Sequence, residues 1–142
     1  MDQQNREEFF EEHLESMLVG GVAFSEWCTF ILKSVHDAFV HGADLATIIT
    51  AVACIETYLK TENPDSQQVN LVKLIDNDPF LSYDEKAELH KLRKYRNGWV
   101  HANKLDDTDL LQNEGRYLDE LKEMAFLSIK MLLTVLLSNQ FI

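Results

Sequence analysis

The chain has 142 residues, 46% of them hydrophobic, and a formal net charge of −11. That length and apolar content specify one ordinary domain, residues 1–142, with its own core, and exclude an intrinsically disordered segment. An acidic field of this size repels phosphate backbones and anionic membranes at long range, so any role on nucleic acid has to rest on a local basic patch.

Five Gly and two Pro are too few turn residues for a sandwich or barrel, and the fold expected is all-α, an up-and-down bundle of four to five helices. The first helix is expected over about Gln3–Leu18, where Phe9, Phe10, Leu14, Met17 and Leu18 recur at helical spacing among acids, and Gly20-Gly21 ends it. A second runs from about Ser25, a good N-cap, to His41, with Gly42 as its stop. Its expected core stripe is Trp27, Phe30, Ile31, Val35 and Phe39. The third, about Asp44–Thr61, is apolar nearly all round until Glu56, as a central helix is.

Pro64 and its polar neighbours mark a loop, and Val69–Ile75 reads as one or two amphipathic turns. Ser82 with Glu85 forms a capping box that opens a fourth long helix, reaching about His101. Asp106-Asp107-Thr108-Asp109 reads as a polar turn. The last helix, about Asp109–Asn139, is acidic in its first half and apolar in its second, and acids at its start suit the helix dipole. Its apolar run Met124–Leu137 is interrupted by Lys130 and is shorter than the roughly 20 residues of a membrane span, so it reads as a core helix or an oligomer face.

Cys28 and Cys54 are the only cysteines, with no CxxC spacing. The first residues, MDQQNREEFFEE, are charged and lack the apolar core of a signal peptide. The expectation is a cytoplasmic chain whose thiols are reduced and packed as small hydrophobes. His13, His36 and His41 form no ligand spacing with acids or thiols, so neither a metal nor a cofactor is expected.

One segment stands apart. Within Leu89–Asn103, the residues Lys91, Arg93, Lys94 and Arg96 place four positive charges in a short stretch of a chain with 13 Lys and Arg against 24 acids. This makes a local anion site in a repelling background, and a phosphate is its simplest ligand. At about 100° per residue, His90, Arg93, Lys94, Asn97 and His101 share one polar face, with Leu92, Tyr95 and Trp99 on the buried face opposite. Asn97 lies one turn before His101 and is placed to orient its imidazole. Arg96 is about 140° from His101 on an ideal helix, so bringing them together needs the reach of the Arg, a distortion at Gly98, or a second copy of the helix. Gly98 itself costs the helix roughly 1 kcal/mol relative to Ala, which close approach of a backbone or a phosphate would offset.

Arg96-Asn97-Gly98-Trp99-Val100-His101 matches the R-x4-6-H motif, and in this setting the chain resembles the HEPN domains over roughly Asp44–Leu137. Ala53–Lys60, which includes Glu56, looks like the HEPN helix that supplies an acid near the site. The resemblance implies a metal-independent endoribonuclease acting on RNA as a homodimer, with the two motif helices meeting at the two-fold axis in a composite cleft. Under it, His101 is the general base or acid, Arg96 holds the scissile phosphate, and Asn97 orients His101 or the phosphate. Arg93, Lys94 and Glu56 line the substrate, and the product is a 2′,3′-cyclic phosphate. A toxin or an anti-phage defence effector, with an antitoxin or regulatory protein as partner, is the biological role the family suggests. The chemistry is sound for these groups: an imidazole trades protons near neutrality and a guanidinium is a permanent bidentate clamp. Paired HEPN toxins often carry a Tyr two residues after the His, a target of modification by the partner; here that position is Asn103.

Plainer readings stand beside this one. His101 could be a cation at a helix C-terminus, Arg96 a surface ion-pair residue, and His90 an exposed side chain. Glu56 either reaches solvent or pairs with Arg96 or His101. The alternative function is a non-catalytic helical module that binds a nucleotide or a partner protein, and an unrelated bundle carrying the motif by accident is the third possibility.

Overall fold

The computed structural model describes residues 2–66, 68–101 and 108–141. They form α1 (Asp2–Met17), α2 (Glu26–Val40), α3 (Asp44–Glu62), α4 (Leu71–Asp76), α5 (Tyr83–Val100), α6 (Thr108–Gln112) and α7 (Glu114–Leu136), with a 3-10 turn at Pro64–Ser66. Seven helices among the described residues replace the four to five expected, because α4 and α6 are short pieces added to five long ones. The only β-type pairing among the described residues is a bridge in which the N–H groups of Gly21 and Phe141 donate to each other's carbonyl. No described helix is long and apolar enough to cross a membrane.

Local chemistry sets the boundaries. Ser25 Oγ accepts the Cys28 N–H at 3.1 Å and starts α2. Gly42, at φ 78°, supplies the left-handed residue that lets Ala43 N–H reach the Ala38 carbonyl and close the helix end. The Ser82–Glu85 capping box is formed in both directions, as its sequence indicates. The last helix is interrupted at Asn113, so Thr108 and Asp109 open the short α6 instead of lying in a turn. Asp106 and Asp107, the rest of that expected turn, lie outside the described residues, as does Asn103.

The central element is α3. It buries Ile48, Ala51, Val52, Cys54, Ile55, Tyr58 and Leu59, packing against α2 and α7 and also touching α4 and α5. Ten residues of α7 are buried, nine of them apolar or small between Leu121 and Leu136 and one of them Ser128, whose hydroxyl donates to the Met124 carbonyl. Within α2 the buried residues are Cys28, Val35, Phe39 and Val40. Trp27 and Phe30, expected in the core, are instead 76% and 75% exposed. This helix is apolar on more than one side, and packing on α3 selects the Cys28–Val35–Phe39 face.

A buried cation fastens α1 to this layer. Arg6, 2% exposed, donates from Nη1 to Asp44 Oδ1 at 2.6 Å and to the Phe39 carbonyl at 3.0 Å, and from Nε to Asp2 at 3.0 Å. Its guanidinium lies 5.1 and 5.2 Å from the ring centres of Phe39 and Phe126.

Candidate active site

The site is built on the C-terminal half of α5. Leu89 and Leu92 are buried and fix the rotation of the helix against the core. Tyr95 and Trp99 continue that face, half-buried, and the Trp99 ring meets Tyr117 of α7 edge-on at 6.3 Å. The Tyr95 hydroxyl sits beside the Trp99 indole and the Glu120 carboxylate. Burial is the main reason its pKa is pushed up to about 12; Glu120 raises it further and Trp99 opposes.

The polar edge of α5 is organised from its start. Lys86 donates to the Asp76 carbonyl at 2.9 Å, and His90 Nε2 meets Asp76 Oδ1 at 2.7 Å. One turn on, Arg93 Nε–H donates to His90 Nδ1 at 3.4 Å. This chain places the His90 proton on Nε2, toward the carboxylate, and leaves Nδ1 to accept. His90 is therefore a held residue and not the freely exposed side chain expected. Its partner Asp76 belongs to α4 and was not legible as such, because the contact crosses a loop.

The motif residues follow. Arg96 and Asn97 are half-buried, and among the described residues the atoms Arg96 Nε and Asn97 Oδ1, like the Tyr95 hydroxyl, are sealed from solvent without a hydrogen-bond partner. Among the described residues Arg96 makes no ion pair. His101 lies just past the helix, exposed, at φ −105° and ψ 1°, and its backbone N–H donates to the Asn97 carbonyl at 3.0 Å. The α-helix runs unbroken through an exposed Gly98 to Val100, so no local distortion swings Arg96 toward His101. Reach of the Arg side chain and a second copy of the helix remain as the ways to unite them.

Arg93 is half-buried and Lys94 exposed, both on the expected polar edge. Glu56 is held elsewhere: Lys60 Nζ lies 3.3 Å from its carboxylate, one turn along α3, and among the described residues Glu56 bonds to neither Arg96 nor His101. A cation absent from the expected set is Arg116 of α7, whose guanidinium covers the Tyr117 ring at 4.8 Å. No periodicity links Arg116 to α5; packing of α5 on α7, including the Trp99–Tyr117 contact, brings the two helices together here. Val100 and Leu118, the residues that follow Trp99 and Tyr117 in sequence, expose 42% and 54% of their surface. Two clefts, of about 130 and 30 Å³, are lined by residues such as Tyr58, Glu62, Asn63 and Asp78, and neither includes a residue of α5. Among the described residues no three His, Cys, Asp or Glu side chains cluster as a metal-ligand set.

No family model, curated protein or solved structure matches this chain.

Proposed function

We propose that the chain is an endoribonuclease of HEPN type, an up-and-down bundle that works as a homodimer and cuts RNA without a metal. The observation that carries this reading is the pair of sealed atoms, Arg96 Nε and Asn97 Oδ1, without a partner among the described residues, one turn before an exposed imidazole on the most cation-rich helix. Buried polar atoms are almost always satisfied, and leaving one bare costs about 1–3 kcal/mol. Two such atoms on neighbouring motif residues fit a site completed by a ligand or a second subunit.

In this mechanism His101 takes the proton of a ribose 2′-hydroxyl, and the oxygen attacks the adjacent phosphorus. The P–O5′ bond breaks, a second His101 returns a proton to the leaving oxygen, and the products are a 2′,3′-cyclic phosphate and a 5′-hydroxyl. The Arg96 guanidinium binds the non-bridging oxygens and stabilises the charge that grows on them. Asn97 orients the imidazole or the phosphate. Arg93 and Lys94 extend the cationic track along α5 toward flanking phosphates, and their confinement to one helix lets a chain of net charge −11 hold RNA at that place alone. Glu56, tied to Lys60, has no part in the step. In this reading the exposed Val100 and Leu118 would border the two-fold contact with apolar surface. By family resemblance, the biological setting is a toxin or phage-defence system with a regulatory partner.

A second reading has one observation in its favour. Trp27 and Phe30 lie a turn apart on α2 and both face solvent, as the docking face of a non-catalytic module for a partner protein does. Incubation with mixed RNA in EDTA decides between the two. The nuclease yields fragments ending in cyclic phosphate; a binding module leaves the RNA whole.

A further inference from the structure

The core holds a pair of thiols that the nuclease reading does not use. Cys28 in the first turn of α2 and Cys54 in the middle of α3 are both fully buried, and their sulfurs lie 3.7 Å apart. The two helices pack extensively against each other, so this approach is held by the core and not by a loop. Twenty-six positions separate the two in sequence. Sulfurs this near need only a small side-chain rotation and helix adjustment to bond.

We propose that Cys28 and Cys54 are a modification site, a dithiol that peroxide converts into an intramolecular disulfide joining α2 to α3. The two cysteines have unequal settings, which assigns their roles. Cys28 lies where α2 begins, its backbone N–H tied only to Ser25 Oγ, and Glu26, Trp27, Thr29 and Phe30 around it are exposed. Opening the first turn of α2 uncovers Cys28 while leaving α3 intact. The Cys54 thiol hydrogen-bonds toward Cys28, which lowers the Cys28 pKa; the same interaction, together with burial, raises that of Cys54. Cys28 at a helix N-terminus is thus the thiolate that reacts first, and Cys54 is the resolving thiol.

The chemistry balances with peroxide as oxidant. The Cys28 thiolate attacks one oxygen of hydrogen peroxide, the O–O bond breaks, and hydroxide leaves behind a sulfenic acid. Cys54 sulfur attacks the Cys28 sulfur, the S–O bond breaks, and water leaves with the Cys54 proton. The protein has lost two hydrogens and peroxide has become two waters.

The test is to treat the intact full-length chain with hydrogen peroxide and measure its mass, its alkylatable thiols after denaturation, and its unfolding midpoint. The expected result is a monomer lighter by two hydrogens, with no alkylatable thiol, reversed by dithiothreitol, and a midpoint higher by roughly 5–10 °C. In Cys54→Ser the Cys28 sulfenic acid persists and is trapped by dimedone; in Cys28→Ser no dimedone adduct forms. Wild-type chain that keeps two alkylatable thiols, or gains oxygen atoms without losing hydrogens, overturns the proposal, and that readout stands even if a serine variant fails to fold.

Discussion

The backbone N–H of His101 donates to the carbonyl of Asn97 at 3.0 Å, so the last hydrogen bond of α5 joins two residues of the proposed site. Through it the imidazole is carried on a helix end instead of a loop, and its position depends on the rotation of α5 set by Leu89 and Leu92. The Asn97 side chain, in contrast, has an oxygen with no hydrogen-bond partner among the described residues. Under the proposed function that oxygen serves the site and not the stability of the helix.

Asn97→Ala is therefore expected to raise stability while lowering activity. It removes a sealed, unpartnered oxygen and places a better helix former in the last turn, for a gain of about 0.5–2 kcal/mol. RNA cleavage falls about tenfold or more. Urea unfolding and single-turnover cleavage measured on the same preparation check both halves. A variant that loses stability and keeps its rate reverses the argument.

Val100 and Leu118 are expected to border the contact between two copies. Val100→Asp and Leu118→Asp each put a charge into it, and the chain should elute as a monomer with its cleavage rate reduced at least about tenfold at micromolar concentration. Sedimentation velocity gives the mass. A wild-type chain that is monomeric at that concentration removes the composite cleft.

Arg6→Ala is expected to cost about 3–5 kcal/mol, because it leaves Asp44 and the Phe39 carbonyl without their buried donor and empties the space between Phe39 and Phe126. Chemical denaturation measures it. The loss is in stability alone, since Arg6 fastens α1 and stands apart from α5.

Alkaline stability follows from Tyr58 and Tyr95, each pushed by burial from 10 up to about 12. Both favour the neutral form when folded, so the unfolded chain releases their protons first. Their stabilising effect is complete below pH 10 and is lost as pH rises from 10 to 12. Tyr95→Phe should flatten this part of the stability profile, as read from urea midpoints across the range.

Much of the fold was legible because local chemistry decides it. Ser25, Gly42 and the Ser82–Glu85 box each act within a few residues, and the helices they bound came out where expected. Which face of α2 is buried was not legible: Trp27 and Phe30 are as apolar as Cys28 and Val35, and α3 makes the choice. The cationic stretch of α5 is visible in sequence as composition. Its ties are not, since His90–Asp76 and Trp99–Tyr117 join separate helices across loops. Glu56 was placed near the site by analogy alone; in the fold its carboxylate lies 3.3 Å from Lys60, four residues along its own helix.

The most direct measurement is the rate of RNA cleavage in EDTA by wild type, His101→Ala and Arg96→Ala at equal concentration and equal folded fraction. Wild type should release 2′,3′-cyclic phosphate ends, and each variant should be slower by roughly 10²–10⁴-fold. Variants as fast as wild type, or wild type inert on every RNA tried, would contradict the assignment of Arg96 and His101 to phosphodiester chemistry.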